Sequence, residues 1–226
     1  METQIVRSRH EKGKSLRRRR IIEAAAALAS EADSDTVSMA QVAARAGVSP
    51  ATLYNLFQTK SAIFRAVFED DHNQFREAVA AAGIESPFER IFVALEVVMA
   101  RYERNPQFYR GTVRLTGAQS LYAEMSDHVG YRSVFWRDLL VEAVAAGEIR
   151  AEVNPEVFGL LMVQVTRSQF LDWAWGVIDL SRAEDQAAYM FALMLQKYVT
   201  PSTDAKLASR IAKLERVLAR NNKVGS

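Results

Sequence analysis

The stretch that decides the fold of the N-terminal part of the chain is TVSMAQVAARAGVSPATLYNLFQTKSAIF, residues 36–64. Ser38 is followed three residues later by Gln41, the spacing at which two such side chains bond to each other's backbone N–H groups at the start of a helix. Behind this pair the apolar residues recur at spacings of three and four, which predicts a helix over residues 39–46. The alanines in it are small enough to let another helix approach closely.

A turn and a second short helix follow at once. Gly47 stands where the chain must enter a left-handed conformation to leave the first helix, and glycine adopts that conformation at little cost. Val48 fills the corner, and Ser49 followed by Pro50 is a typical cap and first residue of a helix. We therefore predict a second helix over residues 50–57, joined to the first by the turn of a helix-turn-helix motif.

The second helix has two different faces on a helical wheel. Its inner face carries the apolar side chains of Leu53, Leu56 and Phe57. Ala51 and Asn55 point the opposite way, and they suit a DNA major groove because alanine can contact a thymine methyl group and asparagine can pair with an adenine edge. The hydroxyls of Thr52 and Tyr54 are placed for backbone phosphates, and Lys60 begins the next helix, where N–H groups form a natural phosphate site.

The charge of the chain is concentrated at its N-terminus. Residues 1–20 hold eight Lys or Arg against two Glu, a net charge of +6, which leaves −4 for the remainder. We expect residues 1–15 to be a basic flexible arm that contacts a polyanion; a solubilising tail is the alternative. The candidate DNA-binding residues are Arg17, Arg18, Ser38, Ser49, Pro50, Ala51, Thr52, Tyr54, Asn55 and Lys60.

Helical patterns also cover the rest of the chain, and sustained period-two alternation is absent. The predicted helices outside the motif span residues 16–32, 60–82, 87–104, 122–146, 155–178, 183–199 and 203–221, with one more starting at Pro106. We predict an all-α protein in which a three-helix DNA-binding domain, residues 16–65, precedes a larger helical domain, residues 66–226.

The motif resembles the DNA-binding signature of the TetR (tetracycline-repressor-like) family. The matching residues are Val42, Ala43, Ala46, Gly47, Val48, Ser49, Thr52, Leu53, Tyr54, Phe57, Lys60, Ile63 and Phe64. Similarity of this specificity covers residues 16–65; beyond them only length and helix layout agree, including the link 147–150 before Asn154 and Pro155. The resemblance implies an all-helical homodimer that represses transcription until a small ligand binds. Many family members carry a histidine or another polar residue where this chain has Leu56, so the phosphate contact often made there is not expected.

Dimerisation is predicted for the helices over residues 155–178 and 183–199. The first is apolar around most of its girth, so it must be covered by more than its own domain. A two-fold dimer presents two recognition helices, which fits a near-palindromic site in double-stranded DNA.

The larger domain is rich in aromatic residues and methionine, with few ionisable groups among them. We expect a pocket for a hydrophobic or aromatic effector, with ordinary core packing as the alternative for any single residue. The candidate pocket residues are Phe92, Met99, Tyr102, Phe108, Tyr109, Tyr131, Phe135, Trp136, Met162, Gln169 and Trp173. An architectural DNA-binding protein would not need this long run of apolar helices.

Several function classes find no support. The chain has no cysteine, which excludes disulfides and thiolate metal sites, and its three histidines lack metal-like spacing; His72 beside Asp70 and Asp71 fits a solvated helix face better than a metal site. No glycine-rich phosphate loop or nucleophile motif occurs, so we predict neither catalysis nor a cofactor. No signal peptide or membrane span is recognisable, and a cytoplasmic protein is expected.

Overall fold

The fold was derived from a computed structural model, which describes residues 2–31, 37–117 and 128–221. The helices in these ranges are α1 Glu2–Glu31, α2 Met39–Ala46, α3 Pro50–Leu56, α4 Lys60–Ala81, α5 Pro87–Arg104, α6 Pro106–Gly117, α7 His128–Ala145, α8 Pro155–Ala174, α9 Leu180–Leu195 and α10 Pro201–Asn221. Within the described ranges no strand forms, and an isolated bridge pairs Ile149 with Val199. The predicted all-α class is confirmed.

The first helix is longer than the sequence pattern predicts. It begins at Glu2, whereas a flexible arm was expected over residues 1–15. The arginines, lysines and glutamates of this segment have high helix propensity. Residues 2–31 contain one glycine, Gly13, and no proline. The basic segment is therefore part of the same helix that enters the helix-turn-helix domain.

Several later helix ends also differ from the prediction; α9, for example, ends at Leu195, four residues before the predicted end. α8 ends at Ala174 because Gly176, two residues on, takes a left-handed φ of 74°. α9 begins at Leu180 because the carboxylate of Asp179 accepts a hydrogen bond from the backbone N–H of Arg182 at 2.7 Å and caps the helix. The helix predicted over residues 122–146 is described from His128 onward, as α7; its first residues lie outside the described ranges.

The chain divides into two compact units. The first unit comprises Met1–Asn73 and Pro106–Ser126, and the second comprises Gln74–Asn105 and Asp127–Ser226. The sequence pattern grouped α6 with the C-terminal domain, but α6 packs along α1 and so belongs to the first unit. α4 contributes residues to both units.

The core of the first unit lies between α1, α2, α3 and the start of α4. α1 packs on α2, and α2 packs on α3. The side chains buried there are Ile21, Ala25, Val42, Ala43, Ala46, Leu53, Phe57, Ile63 and Phe64. The small alanines of α2 let its backbone approach α1, as its sequence predicts.

The second unit has a larger core. α7 packs on α8, α5 on α7 and α9, and α9 on α8 and α10. α7 and α8 approach closely at Gly159, where a Cβ atom would lie 2.6 Å from the carbonyl oxygen of Ser133 and 3.0 Å from the backbone nitrogen of Arg137. Glycine therefore fits at position 159, whereas any residue with a Cβ atom would require one of the two backbones to shift. None of the helices in the described ranges is both long and apolar enough to span a membrane.

Glu148 joins three segments of the second unit. Its carboxylate Oε2 accepts a hydrogen bond from the backbone N–H of Phe88, at the start of α5, at 2.8 Å. Its backbone oxygen accepts from the N–H of Thr200 at 3.2 Å, and the neighbouring Arg150 N–H donates to the oxygen of Tyr198 at 2.6 Å. We call this arrangement the Glu148 junction; it ties the α7–α8 link to the start of α5 and to the α9–α10 link.

Candidate nucleic-acid interface

The first helix of the motif is capped as its sequence predicts. The Ser38 hydroxyl accepts from the backbone N–H of Gln41 at 3.2 Å, and the Gln41 side chain accepts from the N–H of Ser38 at 2.8 Å. Gly47 leaves the helix with φ 61° and ψ 42°, and its N–H donates to the oxygen of Ala44 at 3.2 Å. These bonds satisfy backbone groups that the end of an eight-residue helix would otherwise leave unpaired.

The second helix has its own cap. The Ser49 hydroxyl accepts from the backbone N–H of Thr52 at 3.1 Å and lies 2.9 Å from the Thr52 hydroxyl. Pro50 is the first helical residue, where its missing N–H costs nothing. The helix ends at Leu56 because Phe57 adopts an extended conformation, φ −142°. Ser38, Ser49 and Thr52, predicted to contact DNA, thus also hold the two helices in shape.

α3 presents a polar face to the outside and an apolar face to the core. Leu53 and Phe57 are buried, which confirms this part of the predicted inner face, whereas Leu56 is only half-buried. Ala51 and Asn55 are exposed, and Tyr54 is 53% exposed. An exposed alanine, an amide and a phenol on one short, capped helix can approach base edges and phosphates together.

Arg20 braces the turn of the motif, a role that the sequence did not reveal. Its guanidinium Nη2 donates to the oxygen of Ala46 and, at 3.3 Å, to the oxygen of Gly47. These are the carbonyls at the end of α2, which have no partner within the helix. Arg45 on α2 pairs with Glu31 on α1, Nη2 to Oε1, at 2.7 Å. Two arginines therefore fasten α2 to α1.

The other arginines of the basic run have different surroundings. Arg18 lies over the ring of Phe57, its guanidinium carbon 4.3 Å from the ring centroid. Arg17 is half-buried on α1, and Arg19 is exposed and pairs with Glu23 at 3.0 Å. Arg17 and Arg18 were both predicted to contact DNA, and of the two it is Arg18 that lies beside the end of α3.

Lys60 is the first residue of α4, as predicted. Its side chain is half-buried with the ammonium 6.0 Å from the centroid of Phe64, and burial lowers the pKa of this ammonium. A groove of about 590 Å³ lies beside the end of α3 and the start of α4. It is lined by Arg18, Asn55, Leu56, Phe57, Gln58, Thr59, Ser61, Ala62, Arg65 and Glu69. Arg65 and Ser61 were not among the predicted residues, because nothing in the sequence distinguishes them from the other polar residues of α4.

The candidate pocket residues are distributed over both units. Phe108 and Tyr109 lie on α6 of the first unit, and the Tyr109 hydroxyl donates to Asp71 at 2.7 Å. The remaining candidates lie in the second unit: Phe92, Met99, Tyr102, Tyr131, Phe135, Trp136, Met162, Gln169 and Trp173. Tyr131 is half-buried and the others are buried. Phe92, Phe135, Trp136 and Met162 belong to the main core cluster.

Residues 21–67 match the family model of the bacterial regulatory proteins of the tetR family. This range contains both capped helices, the Gly47 turn and the exposed face of α3. This part of the chain is therefore a domain of the TetR type.

A curated relative supports the same TetR-family domain. The chain is 37% identical over 95 residues to the HTH-type transcriptional repressor KstR of Mycobacterium tuberculosis. The matched part covers 40% of this chain and 42% of that repressor, less than half the length of either.

Solved TetR-family structures share the fold over most of the chain. A TetR transcriptional regulator from Rhodococcus sp. RHA1 aligns with a TM-score of 0.64 and 24% identity, over 81% of this chain and 97% of that one. A TetR transcription regulator from Haloarcula marismortui aligns with a TM-score of 0.62 and 13% identity, over 82% of this chain and 100% of that one. Both of these proteins are transcription regulators. Among the described side chains, no group of three or more His, Asp or Glu could hold a metal ion.

Proposed function

We propose that the protein is a cytoplasmic, homodimeric transcription regulator that binds a near-palindromic operator and is released from it by a mostly apolar small molecule. The observation that carries the DNA-binding part is the exposed Ala51, Tyr54 and Asn55 face on a capped helix of a TetR-family domain. Within that face, we assign the reading of bases to Asn55 and Ala51, and phosphate contacts to Tyr54, Lys60 and Arg18.

The test of the reader is selection from random duplex DNA followed by titration of variants. Two inverted half-sites are expected, since a two-fold dimer presents two copies of α3. Asn55→Ala should weaken binding to the selected site by about 5-fold to 100-fold and leave binding to random DNA unchanged. Asn73→Ala, at an exposed asparagine of α4, is the matched control and should change neither.

Phosphate contacts are distinguished by salt dependence. Lys60→Ala should weaken binding to all sequences and lower the slope of log affinity against log salt by about 1. Lys206→Ala, at an exposed lysine of α10, should leave the slope unchanged. Equal losses on selected and random DNA from Asn55→Ala, or an unchanged slope in Lys60→Ala, would contradict the assignment of roles.

The dimer interface is assigned to α8 and α9. Large apolar residues remain exposed on both helices. Their exposed fractions lie between 43% and 50%, and they are Val157, Leu160, Leu161 and Leu193. A face of this kind on a soluble domain indicates a protein contact, and a second copy of the chain offers the same face under two-fold symmetry.

The test of the interface is the oligomeric state in solution. Leu161→Glu should convert a dimer into a monomer in light scattering at micromolar concentration, because a carboxylate buried against an apolar partner loses its hydration. Val177→Glu, at a residue exposed outside the helices, is the control and should leave the dimer intact. A wild-type monomer under these conditions would refute the assignment.

The effector part rests on the composition of the second unit. Its core contains large aromatic and sulfur-containing side chains, and a pocket formed by such residues would favour apolar ligands. The ligand must bind more tightly to a conformation that does not fit the operator, because equal affinity for both conformations would shift nothing. A thermal-shift screen of aromatic and lipophilic compounds, followed by operator titration with each hit, tests this. Hits that leave operator affinity unchanged would refute the sensor and leave the DNA-binding proposal standing.

A further inference from the structure

Gln169 is a buried side chain of the second unit whose oxygen has no hydrogen-bond donor among the described residues. It lies on α8 and is 5% exposed. Among the described residues, none donates a hydrogen bond to its side-chain oxygen Oε1, which is fully buried. A buried amide oxygen without a donor is costly, so its presence in a folded core calls for a partner beyond the residues that the structure describes.

Other buried polar side chains of the protein show what a structural role looks like. The Thr203 hydroxyl donates to the oxygen of Glu148 at 2.6 Å, and the Thr112 hydroxyl donates to the oxygen of Tyr109 at 2.6 Å. On α8 itself the half-buried Thr166 hydroxyl donates to the oxygen of Met162 at 2.7 Å. Gln169 lies on the same helix as Thr166 without such a bond to its oxygen.

Aromatic residues lie close to Gln169 along α8. Trp173, one helical turn further along α8 and on the same face, stacks on Tyr102 of α5 with ring centroids 5.5 Å apart and an angle of 11° between the rings. Phe170 follows Gln169 in the chain, and the centroid of its ring lies 4.8 Å from that of Tyr102. Gln169 therefore lies on α8 next to Phe170 and one turn from Trp173, two of the three rings in a cluster that α5 and α8 contribute.

We propose that Gln169 Oε1 accepts a hydrogen bond from the effector, and that the effector is a neutral ring compound carrying an O–H or N–H donor. The rings of Tyr102, Phe170 and Trp173 would contact its apolar body. A neutral donor fits because a cation would lose its hydration in this apolar environment with a single amide oxygen to replace it. A compound with acceptors alone would leave Oε1 unpaired and would be rejected. This inference rests on the proposed effector binding in the second unit.

The experiment uses the full-length protein and pairs of ring compounds that differ only in the donor: phenol and anisole, indole and N-methylindole, naphthol and its methyl ether. Binding is followed by tryptophan fluorescence and calorimetry. For at least one pair, the donor compound should bind wild type about 10-fold more tightly than its methylated partner. Gln169→Leu should bring that ratio to about 1, whereas Gln164→Leu, at an exposed residue of the same helix, should keep it.

A second measurement does not depend on any ligand. Because Oε1 loses no partner on substitution, Gln169→Leu should leave the melting temperature of the free protein unchanged or raise it. A clear fall in melting temperature would overturn the inference, and so would equal affinities within every pair, a preference for the donor that survives Gln169→Leu, or no binding by any probe. If the donor preference depends on Gln169 but the bound probe leaves operator affinity unchanged, the proposed release mechanism fails while this inference holds.

Discussion

The helix-turn-helix pair α2–α3 and the pair α7–α8 are held together in different ways. α2 and α3 are eight and seven residues long, and Leu53 is the single buried side chain of α3. α7 and α8 are 18 and 20 residues long and bury several large side chains against each other and against α5. The short pair depends on hydrogen bonds to its backbone ends, whereas the long pair depends on filled volume.

This difference indicates which substitutions each unit tolerates. In the short pair, substituting a capping residue or Arg20 removes a large part of the hydrogen bonding that holds the recognition helix α3 in place. In the long pair, the loss of a single hydrogen bond should change the stability less, and one added methyl group at a close contact should change it more. Four pairs of variants test the comparison.

The largest effect is expected for Gly47→Ala. Alanine at φ 61° costs about 1–2 kcal/mol, and its Cβ would lie 2.5 Å from the Arg20 guanidinium, displacing the brace. We expect a total loss of about 2–3 kcal/mol in unfolding free energy, measured by urea unfolding, and loss of operator binding. Gly83→Ala is the control, since its φ is 65° but no atom lies within 4 Å of the added Cβ. Equal losses would show that Arg20 contributes nothing at the turn.

Gly159→Ala should destabilise the second unit by about 1–2 kcal/mol, since overpacking costs about 1–3 kcal/mol and alanine returns up to about 1 kcal/mol of helix propensity. The atoms that the methyl group meets belong to the α7 backbone and cannot rotate away. Gly130→Ala, also helical but with nothing within 4 Å, should instead raise the midpoint of thermal unfolding. A gain at both positions would mean that the α7–α8 contact is not tight.

Arg20→Met should cost about 1 kcal/mol, because the carbonyls at the end of α2 lose a charged donor at a partly exposed site. Operator affinity should fall with it, although Arg20 itself is not assigned to DNA. Arg19→Met removes an equal charge from an exposed ion pair with Glu23, and its effect on stability should stay below about 0.5 kcal/mol. The contrast is lost if both variants unfold at the same urea concentration.

The smallest effect is expected for Ser49→Ala, which removes the cap of α3 at a cost of about 0.5–1 kcal/mol. Operator affinity should fall a few-fold as the first turn of α3 frays. Ser168→Ala, at an exposed position inside α8, should be neutral or slightly stabilising because alanine is the better helix former. Amide hydrogen exchange at Thr52 measures the fraying directly; unchanged protection there would argue against the cap.

The sequence patterns predicted the helices with recognisable caps best, including the 18-residue α5, whose bounds agree with the prediction. The bounds of α2 agree with the prediction, and α3 is one residue shorter because Phe57 is extended. Capping residues act within three or four positions, so their effect is readable from the sequence alone. α1 was predicted too short because a charged segment without apolar periodicity reads as a tail, although it is helical in the structure.

Contacts between distant segments could not be predicted in this way. Arg20 is one of four consecutive arginines, and only the packing of α1 on α2 separates the one that braces Gly47 from its neighbours. Gln169 was predicted to lie in the pocket, but its missing donor depends on every side chain around it. Glu148 caps α5 across 60 residues of sequence, a distance over which periodicity carries no information.

The Glu148 junction also bears on how the chain is synthesised. Its bonds link Glu148 to Phe88 and to Thr200, across 60 and 52 residues of sequence. Because the ribosome releases the chain from its N-terminus, α5 emerges long before the carboxylate that caps it, and the bridge at Val199 forms only when almost the whole chain has been made. Contacts between such distant segments form late in folding. We therefore expect the helix-turn-helix domain to be folded while the second unit is still open, so that the recognition helix forms before the chain is able to dimerise or to sense a ligand.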